Sequence, residues 1–65
     1  MSILPSMIGE EIKRVRLEQE MSQNELAIKS GLKQQEISFI EKGRIPTKDR
    51  LERIAKALGK EWKLQ

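Results

Sequence analysis

The stretch Gln23–Lys42, QNELAIKSGLKQQEISFIEK, decides the fold. It holds two short runs with helical apolar spacing on either side of a glycine. Leu26, Ala27 and Ser30 precede Gly31, and Ile37 and Ile40 follow it three residues apart. Ser22 stands just before the first run and Glu25 three residues after that serine. This is a capping-box pattern, in which the serine oxygen accepts from the Glu25 amide and the glutamate reaches back to the Ser22 amide. The pattern predicts a helix over 23–30 that stops at Gly31, where a positive φ costs least. A second helix is predicted over 34–42, ended by Gly43. Two helices joined this closely cross steeply and need a small residue where they touch. Ala27 supplies that residue, Gly31-Leu32-Lys33 the connection, and Ile37 with Ile40 the inner face of the second helix.

Working outward, Ile8, Ile12 and Val15 fall at i, i+4 and i+7 and form one apolar stripe. Pro5-Ser6 supplies a break and an N-cap candidate, so a helix is predicted over about 7–20. On the other side, Arg44-Ile45-Pro46 reads as a loop, because proline cannot continue a helix and pushes Ile45 extended. Thr47 caps a further helix over about 48–58, with Asp49 in its first turn and Leu51, Ile54, Ala55 and Leu58 as its stripe. After Gly59, Glu61-Trp62-Lys63-Leu64-Gln65 alternates polar and apolar. That tail reads as a short terminal strand or as one more turn folded back on the core. The expected fold is all-α, a four- to five-helix bundle in one domain spanning 1–65.

Composition narrows the function mainly by exclusion. The 65 residues include no cysteine and no histidine, which removes disulfides, thiolate metal sites and the usual general base near neutral pH. The carboxylates are scattered, and no glycine-rich phosphate loop is present. No enzyme activity, metal or cofactor is therefore expected. The formal net charge of +3 favours anionic partners, although an ordinary solvated surface accommodates it equally well. No apolar run approaches the ~18 residues of a membrane span. Met1–Ser6 lacks the pattern of a signal peptide, so a cytoplasmic location is expected.

The chain resembles the Cro/C1-type (XRE-like) helix-turn-helix family of phage repressors. The resemblance runs from Ile8 to Gly59. It is carried by Ile8-Gly9-Glu10-Glu11-Ile12, Arg16, Met21-Ser22-Gln23-Asn24-Glu25-Leu26-Ala27, Gly31, Ile37-Ser38, Ile40-Glu41-Lys42-Gly43, Pro46 and Ala57-Leu58-Gly59. It implies a lambda-repressor-like domain whose second motif helix enters the major groove of double-stranded DNA. Gln34 and Gln35 would then meet base edges, where a glutamine amide suits adenine, and Ser38 would lie on the same face. Phe39 departs from the polar residue common there, and either touches a thymine methyl or packs on a neighbouring helix. Gln23 would contact the DNA backbone, helped by its helix N-terminus. Lys33, Lys42, Arg44 and Lys48 would form a phosphate-facing rim. Arg16 and Glu41 are expected to form a structural ion pair. Trp62 and Leu64 either plug the bundle or contact a second copy.

By the same resemblance the chain acts as a homodimer, with two reading helices ~34 Å apart on a near-palindromic operator. Occlusion of a promoter is the preferred mechanism, while activation through polymerase contact suits the same residues. Two rivals remain: an antitoxin that silences a toxin and also binds DNA, and a domain used only for protein contacts.

Overall fold

The computed structural model describes every residue, Met1–Gln65. The elements in chain order are β1 (Ser2–Ile3), a 3₁₀ turn (Pro5–Met7), α1 (Ile8–Glu18), α2 (Gln23–Ser30), α3 (Gln34–Glu41), α4 (Lys48–Leu58) and β2 (Lys63–Leu64). Each helical stripe named above faces inward. Ile8, Ile12 and Val15 of α1, Leu26 and Ala27 of α2, Ile37 and Ile40 of α3, and Leu51, Ile54, Ala55 and Leu58 of α4 belong to one buried cluster. Ile3, Met21 and Trp62 complete it.

The caps explain most of the boundaries. Ser22 Oγ accepts from the Glu25 amide at 3.0 Å, and Glu25 Oε1 accepts from the Ser22 amide at 3.0 Å. Gly31 ends α2 in the left-handed region at φ 73°. Thr47 Oγ1 accepts from the Arg50 amide at 3.2 Å and opens α4. At the start of α3, where Lys33 has no capping oxygen, Glu36 Oε1 still accepts from the Lys33 amide at 3.1 Å.

Two details of α1 differ from the sequence expectation, and the tail takes the strand alternative with a partner that the sequence does not name. Ser6 does not cap α1; it lies inside the 3₁₀ turn, and Met7 occupies the cap position without a side-chain hydrogen bond. α1 ends at Glu18 rather than Glu20, because Glu20 adopts φ 54° and the Met21 amide closes back on the Arg16 carbonyl at 3.0 Å. The C-terminal tail is a strand, and its partner is the chain's own N-terminus. β2 runs parallel to β1 with Ser2 opposite Lys63 and Ile3 opposite Leu64.

Gly9 sets the distance between α1 and α3. It is buried, and a Cβ placed there would collide with the Ile40 carbonyl oxygen and stand 3.3 Å from Glu41 Cα. The two helices thus meet backbone to backbone at the end of α3.

Gly9→Ala is accordingly expected to destabilise the fold by about 1–3 kcal/mol through overpacking, despite alanine's better helix propensity. Urea denaturation checks this, and an unchanged or raised midpoint would contradict it. A second expectation concerns Glu25, whose carboxyl is held below the usual carboxylate range, first by the Ser22 backbone N–H and then by the Ser22 side chain. Its contribution is complete above the unfolded carboxylate value of about 4.3 and is lost as pH falls through its lower folded value. Acid unfolding of Glu25→Gln should therefore be less steep as pH falls below about 4.3 than that of the unaltered chain. Superimposable acid transitions would count against the capping role.

Candidate nucleic-acid interface

The end of α3 is anchored by a buried charge cluster. Arg16 Nε donates to Glu41 Oε2 at 2.7 Å, and Arg16 Nη2 donates to Glu41 Oε1 at 3.0 Å. The remaining Nη1 donates to the Met21 carbonyl at 2.8 Å. The Arg16 and Glu41 side chains keep only 8% and 3% of their surface exposed. Gln23 Nε2 adds a donor to Glu41 Oε1 at 3.1 Å. One cluster therefore joins α1, the turn after it, the start of α2 and the end of α3. Beneath the middle of α3, Ile37 and Ile40 are buried in the core.

With its inner face held in this way, α3 presents the opposite face to solvent. Gln34 and Gln35 are exposed in its first turn, and Ser38 is half-buried one turn further on. Phe39 is exposed, and the Arg44 guanidinium carbon lies 4.8 Å from the centre of its ring. Lys33, Gln35, Phe39 and Arg44 line one open groove between α3 and the loop leading to α4. Pro46 and Arg50 form the far wall of that groove.

The remaining residues marked in the sequence fall elsewhere. Gln23 is half-buried and its amide is engaged with Glu41, so in this conformation it is a structural donor rather than a free surface one. Lys42 is exposed at the C-cap of α3. Lys48 lines a different groove, beside Leu51 and Trp62. Thus Lys33 and Arg44 share the α3 groove, while Lys42 and Lys48 stand outside it. Trp62 is buried in its own chain, and Leu64 is partly buried against the same core.

Sequence reasoning passed over Arg50 and the double duty of Glu36. Arg50 Nε sits 2.8 Å from Glu36 Oε2, while the other Glu36 oxygen takes the Lys33 amide. The only carboxylate in the groove is thereby neutralised. A glutamate at the third position of a helix lacking a capping side chain signals the amide contact; nothing in the spacing signals Arg50. Arg14 and Arg53 likewise have carboxylate partners, Glu11 and Glu18 for the first and Asp49 for the second. Exposed pairs of this kind contribute little stability. Arg44 is the one arginine without an ion-pair partner, and Lys33, Lys42 and Lys48, like the other lysines, have none either.

Residues 12–64 match a family model described as helix-turn-helix, HTH_3. Among solved structures, the chain is similar to crystal structures of the wild-type restriction-modification controller protein C.Esp1396I. The triclinic form is 41% identical with a TM-score of 0.81, covering 88% of this chain and 75% of that one. A second wild-type structure is 42% identical with a TM-score of 0.81, covering 94% and 80%. No curated protein matches the chain.

The anchoring cluster carries its own test. Glu41→Ala leaves the Arg16 guanidinium buried beside a single carbonyl, and should cost about 2–4 kcal/mol. Thermal melting reads this directly, and a shift below about 2 °C would show that the pair does not anchor α3.

Proposed function

The chain belongs to the Cro/C1-type (XRE-like) helix-turn-helix family of DNA-binding transcription regulators, and from that premise we propose that it binds an operator in double-stranded DNA as a homodimer and controls a restriction–modification system. The carrying observation is the exposure of Gln34 and Gln35 at the start of a helix whose inner face is held in place. The identity of 41–42% to a restriction-modification controller supports the biological assignment.

In this reading α3 enters the major groove with its N-terminal end toward the bases. Each glutamine amide offers both a donor and an acceptor, which matches the adenine edge, and Ser38 lies one turn behind. Lys33, Lys42, Arg44 and Lys48 meet phosphates. Those contacts release counterions and supply much of the affinity, whereas the base contacts choose the site. Two copies related by a two-fold axis place their α3 helices ~34 Å apart, so the operator has matching half-sites. A dimer seated over a promoter represses by excluding polymerase.

Fluorescence anisotropy on a duplex from the region upstream of the chain's own gene, against a shuffled duplex, tests the proposal. The double variant Gln34→Ala, Gln35→Ala should lose at least about tenfold of the discrimination between the two and keep its melting temperature. Undiminished discrimination would remove α3 from base reading. For the unaltered chain, log affinity should fall against log salt with a slope of about −0.9 per neutralised phosphate, and a flat response would rule out DNA as the partner.

A further inference from the structure

We propose that Phe39 is a positioning residue, whose ring holds the Arg44 guanidinium ready for the DNA backbone before DNA arrives. This inference rests on the DNA-binding reading above and assigns a role to the one aromatic side chain on the α3 surface. The chain has arginines at 14, 16, 44, 50 and 53, and every one except Arg44 is paired with a carboxylate. Arg44 instead lies on the Phe39 ring, 4.8 Å from its centre.

The backbone brings Arg44 within reach of this pose. The Arg44 amide donates to the Phe39 carbonyl at 3.0 Å, which closes a loop of the chain from one residue to the other. Gly43 between them adopts φ 128°, a conformation that side chains with a Cβ rarely enter, and nothing stands within 4 Å of where a Cβ would be. The glycine is therefore required by the turn and not by lack of space. Without the turn, Arg44 would not return over α3.

Stacking of this kind suits arginine. The cation over the ring is drawn to its negative face, and the N–H donors that point away from the ring remain available to meet phosphate oxygens. A long side chain that is ordered only on binding surrenders rotamer freedom at that moment, whereas one already stacked has surrendered it beforehand. The Phe39 ring thus adds affinity without adding charge. A thymine-methyl contact by Phe39 would instead use the ring's apolar surface, so any deficit it caused would depend on the thymine methyl.

A double-mutant cycle on DNA affinity separates these roles, using the unaltered chain, Phe39→Leu, Arg44→Ala and the double variant. Phe39→Leu should weaken binding about two- to fivefold, and the same change made in Arg44→Ala should have no effect. Phe39→Trp should restore binding, and the salt slope should be unchanged in Phe39→Leu because no cation is lost. Replacing operator thymines with uracil should leave the Phe39→Leu deficit intact. Additive effects in the cycle, or a deficit that vanishes with uracil, would overturn the proposal. In the free protein, the Arg44 side-chain protons should show upfield ring-current shifts that disappear in Phe39→Leu. Their absence from the unaltered chain overturns positioning irrespective of DNA, while failure of the unaltered chain to bind any duplex with those shifts present overturns the DNA reading itself.

Discussion

The bidentate pair between Arg16 and Glu41 is the constraint on which the rest of the molecule depends. Removing two charges from water is expensive, and the attraction between them offsets that cost only when the remaining donors and acceptors are also satisfied. Here they are: Met21 takes the third arginine donor, Gln23 supplies an extra donor to the carboxylate, and no buried side-chain polar atom lacks a partner. Such a cluster defines one arrangement of α1, α2 and α3 more than it adds net stability. Any sliding of α3 would strand a buried charge. Gly9 reinforces the same junction sterically by letting α1 approach the last turn of α3 at backbone distance.

Fixing α3 from beneath divides its residues sharply. Ile37 and Ile40 are committed to the core, and Gln34 and Gln35 are left in solvent with amide groups that can both donate and accept. The charges around them are sorted in a comparable way. Arg50 cancels Glu36 inside the groove, whereas Arg44 keeps its full charge and is steadied by an aromatic face. An anion approaching this groove meets Lys33 and Arg44 with no unpaired carboxylate to repel it. Local pairing at this surface therefore carries more meaning than the modest net charge of the whole chain.

Much of this was readable from residue order. Regular apolar spacing marks the four helices, and Ser22, Glu25, Gly31 and Thr47 mark ends whose hydrogen bonds are local and therefore encoded locally. The exposure of Gln35 follows from Ile37 and Ile40, which lie roughly opposite it around the helix, whereas Gln34, three residues before Ile37, is exposed because it opens the first turn. What the sequence concealed depends on contacts between distant segments. The parallel pairing of Ser2–Ile3 with Lys63–Leu64 joins opposite ends of the chain through strands of two residues, too short for a periodic signal. Gln23 looked like a surface amide because its partner Glu41 lies 18 residues away. The Arg44–Phe39 stack depends on an unusual backbone angle at Gly43 that composition alone does not reveal.

The central claim is that the outward face of α3 is the surface that meets DNA. Amide chemical-shift mapping of the isotopically labelled chain during titration with its operator duplex tests it most directly. The largest changes should fall on the backbone and side-chain amides of Gln34 and Gln35 and on Ser38 and Arg44, with α1 and the terminal sheet little affected. Changes concentrated on α4 or the terminal sheet, with α3 unmoved, would contradict the account.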